Sequence, residues 1–285
     1  MNFIEAIIQY EFLQKALITS VMVGIICGVI GCFIILRGMA LMGDAISHAV
    51  LPGVAISYML GINFFFGAVF TGVLTAIGIG FVSQNSRLKN DTAIGILFTS
   101  AFAAGIILIT FMKSSTDLYH ILFGNVLAVR PSDMWVTLAI GILVIAGVYF
   151  FYKELLVTSF DATMAQAYGL STRVIHYLLM TLLTMVTVAS LQTVGIVLVV
   201  AMLITPAATA YLLTDRLWVM IYLAAGFGTI ASVVGLYYSF MYNLPSGATI
   251  VLTSTILFVA VFLFSPKHGF VRKLIKSRKR ASIAS

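Results

Sequence analysis

The sequence predicts an all-α membrane protein whose chain crosses the bilayer several times. Hydrophobic residues make up 61% of its 285 residues and charged residues only 9%, whereas a soluble domain carries about 25% charged residues. The apolar residues form blocks of about 20, the length that a helix needs to cross the hydrocarbon core of a bilayer. The basic residues concentrate in alternate connections between these blocks, as the positive-inside rule predicts for a polytopic chain.

Nine apolar blocks are long enough to be candidate membrane-spanning helices. The least distinct boundary lies within LQTVG, where two blocks meet at 192–194. The predicted spans are 16–36, 43–61, 64–83, 91–112, 133–152, 174–192, 194–213, 218–240 and 247–265.

The basic C-terminal segment sets the expected orientation. Residues 267–285 carry the run KHGFVRKLIKSRKR, which we expect to form a cytoplasmic tail. Nine spans place the N-terminus outside and Arg37 inside, whereas eight spans would place the N-terminus inside and Arg37 outside. With nine spans the net charge of +7 follows from topology, so we expect the lipid bilayer and no nucleic acid as a partner. The inner connections then hold Arg37, Arg87, Lys89, Lys153, Arg173 and Arg216.

Two connections are richer in structural signals than plain loops. Residues 114–131 are partly apolar and predict a helix or re-entrant segment on the outer face. Residues 154–173 lie on the cytoplasmic side and predict a short helix. In it Ser159 suits the N-cap, Asp161 suits the first turn and Gly169 suits the C-terminal stop. Such a helix can be a docking surface or an ordered loop, and the residues alone leave both interpretations open.

The segment LMGDAISHAVLPG, residues 41–53, places two polar groups inside a predicted span. Asp44 and His48 are four residues apart and therefore share one face of a helix. If Arg37 marks the inner surface, His48 lies roughly 16 Å deep and Asp44 about 10 Å deep at the helical rise per residue. An ionised carboxylate in lipid costs a few kcal/mol or more. We therefore expect the pair to face the protein interior or a water-filled path.

Three interpretations of this pair compete: a structural hydrogen bond, a proton relay and a metal site. Two ligands from one chain are too few to enclose a metal ion. A two-fold dimer, however, would supply two aspartates and two histidines. Four nitrogen and oxygen ligands suit manganese and can also hold zinc or iron.

Two prolines predict bends in the spans. Pro52 follows His48 by one turn, removes a backbone donor and can kink the span, which would open space beside the pair. Thr205 and Pro206 lie inside LITPAATAYL, residues 203–212, and predict a second kink that can also line a path through the membrane.

The remaining histidines and the cysteines carry weaker signals. His120 lies on the outer segment and is better explained as a surface residue than as an entry ligand, while His176 and His268 fall at the inner interface. Cys27 and Cys32 share one span and are expected to be apolar fillers without a disulfide. The sequence contains no GxxxxGK[ST] loop and no HExxH motif, which argues against ATP binding by that loop and against a zincin-type protease.

Four stretches resemble the permease subunits of bacterial ATP-binding-cassette (ABC) importers for manganese and zinc. The similarity extends over about residues 12–266, is greatest to the manganese permeases of Gram-positive bacteria, and is most specific in the motif GDxxSHAxLPG. The stretches are CFIILRGMALMGDAISHAVLPGVA (32–55), DLYHILFGNVLAV (117–129), SFDATMAQAYG (159–169) and VGIVLVVAMLITPAATAYLL (194–213).

The resemblance implies an ABC importer permease of the metal-chelate-like type, with one transmembrane permease domain over residues 1–285 and eight to nine membrane helices. It implies that Asp44 and His48 coordinate the transported ion at the centre of a homodimer. No role carries over to His120. The resemblance also implies that residues 159–169 are a cytoplasmic coupling helix, whose matching positions include Ser159, Phe160, Asp161, Ala165 and Gly169.

The resemblance also implies partners and a location. The expected partners are a second copy of the chain, two cytoplasmic ATP-binding subunits and an extracellular metal-binding lipoprotein. ATP hydrolysis is expected on those subunits, so the chain itself is not expected to be an enzyme or to hold a permanent cofactor. We expect a multi-pass protein of a bacterial cytoplasmic membrane, with a cytoplasmic C-terminus, that imports Mn²⁺. The alternatives are import of Zn²⁺ or Fe²⁺, a secondary transporter with an Asp44–His48 proton relay, and an intramembrane enzyme.

Overall fold

A computed structural model describes residues 3–111 and 126–265, and helices account for nearly all of these two ranges. A short 3₁₀ turn, Val126–Ala128, precedes the seventh α-helix. In chain order the α-helices are α1 (Phe3–Gln9), α2 (Glu11–Leu36), α3 (Met42–Ala49), α4 (Leu51–Leu60), α5 (Phe64–Asn85), α6 (Asn90–Phe111), α7 (Pro131–Phe150), α8 (Tyr152–Phe160), α9 (Ala162–Ala167), α10 (Thr172–Val194), α11 (Ile196–Tyr211), α12 (Leu217–Tyr242) and α13 (Ser246–Phe264).

All nine predicted spans fall on helices. Within the described ranges, seven helices are long and apolar enough to cross a membrane: α2, α5, α6, α7, α10, α12 and α13. The predicted span 43–61 is instead divided into α3 and α4, and the predicted span 194–213 is the shorter α11. The boundary between α10 and α11 falls at Gly195, whose φ is +83°. The prediction of an all-α polytopic membrane protein is confirmed.

Most of the predicted outer segment and the whole basic tail lie outside the described residues. This applies to His120 and His268, and to the tail at 267–285. Of the segment 114–131, the described part consists of the 3₁₀ turn, a short link and the first residue of α7.

Helix α2 lies at the core of the bundle and packs against α7, α10, α11 and α12. Its glycines allow the closest of these contacts, as expected for helices packed through small residues. A Cβ on Gly24 would lie 2.8 Å from the carbonyl oxygen of Gly228 on α12, and a Cβ on Gly31 would collide with the carbonyl oxygen of Leu203 on α11. The backbones of α2, α11 and α12 therefore form one tightly packed unit.

Helices α6 and α13 lie at the periphery and leave most of their surface exposed. The exposed side chains are largely apolar, such as Ile107 and Phe111 on α6 and Leu252 and Ile256 on α13. Apolar side chains on an otherwise hydrogen-bonded helix are what a hydrocarbon environment requires.

The two cysteines are free thiols inside α2. Both side chains are fully buried. Cys32 donates to the carbonyl of Gly28 at 3.2 Å, and Cys27 lies 3.9 Å from the hydroxyl of Ser190. They fill space in the core, as predicted.

The helix ends that we predicted to face the cytoplasm lie together at one end of the bundle. They surround a cavity of about 640 Å³. Arg37, Gln84, Asn90, Thr158 and Arg173 line it from the ends of α2, α5, α6, α8 and α10. The alternation of inner and outer connections inferred from charge is thus consistent with the three-dimensional arrangement.

Candidate functional site

Helix α3 brings Asp44 and His48 together, as the four-residue spacing predicted. The Nε2 atom of His48 lies 3.5 Å from Oδ1 of Asp44. The side chains are 23% and 42% exposed, respectively, so neither is sealed into the core of this chain. The pair is therefore accessible from one side while it remains attached to a packed helix.

Two aromatic rings of α6 hold the imidazole in place. The ring centroids of Phe98 and Phe102 lie 5.6 Å and 5.3 Å from that of His48. The Nδ1 atom of His48 is buried and has no hydrogen-bond partner among the described residues. Nε2 is the nitrogen that faces Asp44. Because Nδ1 is buried, Nε2 is also the nitrogen that is available to a ligand. The sequence pattern gave no signal for either phenylalanine, because both read as ordinary apolar residues of a span.

The pair forms the polar part of the wall of a cavity of about 490 Å³. Thr205 on α11 adds a hydroxyl to this wall, and the remaining lining is apolar. No group of three or more His, Cys, Asp or Glu side chains with metal-binding geometry occurs in residues 3–111 and 126–265. One copy of the chain therefore offers two strong ligands for a metal ion. The lining residues are Asp44, His48, Ile196, Val197, Val200, Ala201, Ile204, Thr205 and Val251.

Pro52 lies next to a break in the helix that carries the pair. The break is at Val50, between α3 and α4, and Pro52 occupies the first turn of α4. A proline at that point cannot donate to the carbonyl one turn earlier, which is that of His48. The predicted kink therefore takes the form of a division into two helices, two residues before the proline.

Pro206 lies inside α11, whose helical assignment runs through it without interruption. Thr209 donates to the carbonyl of Thr205 at 2.7 Å. Thr205 lines the cavity beside Asp44, whereas Pro206 is buried and does not. Of the two residues predicted to form a kink or path, Thr205 is thus the one that the structure brings to the pair.

The segment 154–173 contains two helices, α8 and α9, where one was predicted. Ser159 does not cap a helix, because it lies within α8 and donates to the carbonyl of Leu155 at 2.6 Å. The N-cap of α9 is Asp161, whose carboxylate accepts hydrogen bonds from the amides of Thr163 and Met164, both at 2.9 Å. The predicted N-cap at Ser159 was therefore wrong by two positions, because the hydroxyl of Ser159 is used within α8 while the carboxylate of Asp161 accepts from the first amides of α9.

The other predicted positions of this segment divide into buried and exposed. Ala165 is fully buried, and Phe160 is 60% exposed. Gly169 ends the segment in the left-handed region, with φ of +77°, and donates to the carbonyl of Gln166 at 2.9 Å. The result is a short helix bounded by the cap at Asp161 and the left-handed Gly169, on which Met164 exposes apolar surface.

The hydrogen bonds from Met164 and Thr163 hold the pKa of Asp161 below its ordinary value. This carboxylate is therefore ionised at neutral and mildly acidic pH. A negative charge at the N-terminus of α9 also interacts favourably with the helix dipole.

Arg37 and Thr158 form a contact that the sequence did not predict. The Nη2 atom of Arg37 donates to Oγ1 of Thr158 at 2.7 Å, and its Nε donates to Oγ of Ser159 at 3.1 Å. This contact ties the end of α2 to the end of α8. Positions so distant in the chain leave no local pattern from which the pairing could be inferred.

The apolar helices of spanning length define a polytopic membrane protein, and Asp44 and His48 lie on the wall of one of its cavities. The chain belongs to the ABC 3 transport family, whose sequence model matches residues 9–265.

Individual relatives are similar over nearly the whole chain. A protein of Listeria monocytogenes named manganese transport system membrane protein MntC is 67% identical over 283 residues, which are 99% of this chain and 100% of that one. The manganese import system permease protein ScaB of Streptococcus gordonii is 54% identical over 275 residues, 96% of this chain and 99% of that one. The solved structure of PsaBC from Streptococcus pneumoniae in complex with Fab contains a chain of 53% identity with a TM-score of 0.86, and the match covers 95% of this chain and 98% of that one.

Proposed function

We propose that this chain is the membrane-spanning permease subunit of an ATP-driven manganese importer. The observation that carries the proposal is the Asp44–His48 pair, which lies partly exposed on the wall of a largely apolar cavity. The names of the similar proteins, which refer to manganese transport and import, point to the same cargo.

The geometry of the pair suits joint coordination of one ion. Nitrogen and oxygen ligands lie about 2.0–2.2 Å from a divalent transition metal. Two adjacent ligands of one ion are therefore about 3 Å apart, close to the 3.5 Å between Nε2 of His48 and Oδ1 of Asp44. A small side-chain adjustment would bring both atoms onto the same ion.

A second copy of the chain would complete the coordination. The cavity is open and the two ligands are partly exposed, so a two-fold axis beside α3 and α11 would add the partner's aspartate and histidine. Val197 on α11 is 49% exposed next to the pair, which supplies apolar surface for such a contact. We propose the homodimer as the transporting form.

The ligand chemistry is compatible with manganese, and the names of the similar proteins place manganese first. Carboxylates suit manganese and imidazole suits zinc and iron, whereas thiolates select softer ions. Neither Cys27 nor Cys32 lines the cavity, so no thiol is available there. Zinc and iron accept the same nitrogen and oxygen ligands and remain the alternative cargo.

Residues 154–173 are the proposed surface for two cytoplasmic ATPase subunits. Phe160, Met164 and Tyr168 expose apolar area there, with exposed fractions of 60%, 50% and 72%. Met164 lies on the capped helix α9, Phe160 ends α8 just before it, and Tyr168 directly follows it. In this scheme ATP hydrolysis takes place on the ATPase subunits, an extracellular lipoprotein delivers the ion, and the tail 267–285 faces the cytoplasm.

A secondary transporter with an Asp44–His48 proton relay is the competing function. A relay needs a chain of titratable or hydroxylic groups, and among residues 3–111 and 126–265 Thr205 is the only further polar residue that lines the cavity. Purification separates the two functions, because a relay transporter needs no ATPase partner. Recovery of the chain in a stable complex with an ATPase would exclude the relay.

Uptake of radioactive manganese by cells tests the proposed site. We expect Asp44→Ala and His48→Ala each to abolish uptake at normal expression. Ser47→Ala is the matched control, because Ser47 lies between the two on α3 but is fully buried and bonded to the carbonyl of Gly43. Normal uptake in either site variant would refute the site, and loss of cellular zinc without loss of manganese in cells lacking this chain would refute the cargo.

A further inference from the structure

We propose that Arg37 is a positioning residue that transmits movement of the cytoplasmic segment 158–169 to the turn before α3, and thereby to Asp44 and His48. The inference rests on the proposed function, because that segment lies within residues 154–173, the proposed surface for the ATPase subunits.

A single guanidinium holds the end of α8 at two points. Arg37 donates to the hydroxyls of Thr158 and Ser159 at 2.7 Å and 3.1 Å. Each hydroxyl also donates its own proton within α8, Thr158 to the carbonyl of Glu154 at 2.7 Å and Ser159 to that of Leu155 at 2.6 Å. A hydroxyl has one proton and two lone pairs, so both oxygens are left as acceptors for Arg37. The contact therefore has a fixed direction.

The contact is not an ion pair. Within the described ranges, Arg37 forms no salt bridge with a carboxylate. Burial lowers the pKa of its guanidinium to about 10, which leaves the group charged at neutral pH. Burying a charge without a counter-charge costs free energy, whereas the planar guanidinium is well suited to holding two acceptors in one geometry. A role of Arg37 in positioning the end of α8 therefore explains this arrangement better than a contribution to the stability of the fold does.

Only a short turn separates Arg37 from α3. Gly38 adopts a φ of +65°, and the amide of Met39 donates back to the carbonyl of Ile34 at 3.0 Å. The carbonyl of Met39 then accepts from the amide of Met42, the first residue of α3, at 2.9 Å. A displacement of Arg37 would thus reach α3 through the backbone of residues 38–41 and the hydrogen bond from Met42 to Met39.

The surroundings favour movement at this turn over movement of α2. Helix α2 is held against α11 and α12 by backbone contacts at Gly31 and Gly24, and closely packed helices resist deformation. By contrast, the cavity of about 640 Å³ borders Arg37, Thr158 and Gln166. The segment beside that cavity can shift without repacking the core.

Helix α10 offers a competing route for the same movement. It follows α9 in the chain, contacts it, and packs against α3. Removal of the contact between Arg37 and Thr158 distinguishes the two routes. It should interrupt transmission through Arg37 and leave transmission through α10 intact.

A double-mutant cycle in the assembled transporter tests the proposal. The chain and its ATPase subunits are reconstituted in proteoliposomes, and manganese ions moved per ATP hydrolysed are measured for Arg37→Gln, Thr158→Val and the double variant. We expect each single change to lower this ratio about tenfold, because a hydrogen bond to a charged group is worth at least that factor. The double variant should be no worse than Arg37→Gln, since Arg37→Gln already breaks the contact that Thr158→Val removes.

Two further variants serve as controls. Thr158→Ser keeps the hydroxyl and should restore the ratio. Thr229→Val removes the same kind of hydroxyl, bonded to the carbonyl one turn earlier at 2.9 Å, and should leave the ratio unchanged. If the Arg37→Gln variant does not assemble with the ATPase subunits, the comparison of Thr158→Val with Thr158→Ser still tests the proposal.

Three results would overturn the proposal. A normal ratio in Thr158→Val would assign transmission to α10. If the double variant lowers the ratio by the product of the two single losses, Arg37 and Thr158 act independently. If these variants lose complex assembly, ATP hydrolysis and manganese uptake to the same extent, the contact between Arg37 and Thr158 has only a structural role. If the unaltered chain recruits no ATPase subunit at all, the proposed function itself fails, and that outcome is distinguishable from the other three.

Discussion

The ring of Phe102 meets the imidazole of His48 almost edge-on, at 83° and with 5.3 Å between the centroids. Phe102 belongs to α6, a peripheral helix, whereas His48 belongs to α3. The contact limits rotation of the imidazole about its side-chain bonds and keeps Nε2 on the side of Asp44. A helix that exposes most of its surface therefore contributes to the orientation of the proposed ligand.

Replacing Phe102 with leucine should weaken manganese uptake without removing a ligand. We expect a severalfold lower uptake at limiting manganese, because an imidazole that samples other rotamers loses preorganisation as a ligand. Uptake is measured as a function of manganese concentration, and the effect should be a higher concentration at half-maximal uptake. Phe111→Leu is the control on the same helix, since Phe111 is 76% exposed. Equal effects of the two changes would contradict a specific role for Phe102.

Acidification should weaken uptake through the Asp44–His48 pair. Protons compete with the metal, because coordination needs a neutral imidazole and an ionised carboxylate. Uptake measured from neutral pH down to about 5, the range in which imidazole commonly titrates, should fall steadily when the delivery protein is in excess. A flat profile would count against His48 as a ligand.

The cap of α9 should not contribute to that acid sensitivity. Hydrogen bonds from Met164 and Thr163 lower the pKa of Asp161 in the folded chain. A carboxylate with a lowered pKa stabilises the fold above its unfolded-state pKa, and this contribution is lost only as the pH falls through the lowered value. Association with the ATPase subunits should thus be unchanged between neutral pH and about 5, since ordinary carboxyl pKa values lie lower still.

Replacing the cap should weaken the ATPase complex in a graded way. Asp161→Ala leaves the first amides of α9 without a partner, and we expect recovery of the complex to fall about fivefold, the factor that a lost N-cap commonly costs. Asp161→Asn keeps an accepting oxygen and should behave nearly as the unaltered chain. Pull-down of the ATPase from detergent extracts measures both. Equal losses would indicate that the charge, and not the cap, is what the partner recognises.

The close backbone contact between Gly24 on α2 and Gly228 on α12 should be intolerant of a single methyl group. A Cβ on Gly24 would lie 2.8 Å from the carbonyl oxygen of Gly228, so Gly24→Ala should destabilise the protein by about 1–3 kcal/mol through overpacking. Thermal inactivation in detergent compares it with Gly226→Ala on α12, where an added Cβ meets nothing within 4 Å. An unchanged midpoint for Gly24→Ala would mean that α2 and α12 separate more easily than their packing suggests.

Local signals predicted most of the helices. Long apolar blocks mark spans because bilayer thickness fixes their length, and every predicted span is helical. The same local reasoning placed Asp44 and His48 on one face, since the helical period relates residues four apart. It also anticipated that Pro52 disturbs the helix, although the division occurs at Val50.

Contacts between segments that are distant in the sequence could not be predicted from the sequence. The hydrogen bonds of Arg37 to Thr158 and the packing of Phe98 and Phe102 on His48 depend on how helices meet, and they leave no periodic pattern. The misplaced cap at Ser159 has a related cause. Its hydroxyl bonds back into α8, and a sequence in which Ser159 precedes Asp161 by two positions offers two caps for one helix.

The burial of Cys27 and Cys32 has a practical consequence for mapping the membrane faces. These are the two cysteines of the chain, and both are inaccessible inside α2, so the unaltered protein should not react with a membrane-impermeant maleimide. A single cysteine introduced at Tyr168, 72% exposed, or at Ile62, 49% exposed, would be the sole reactive thiol. With the orientation expected from charge, intact cells would label position 62 and only opened cells would label position 168.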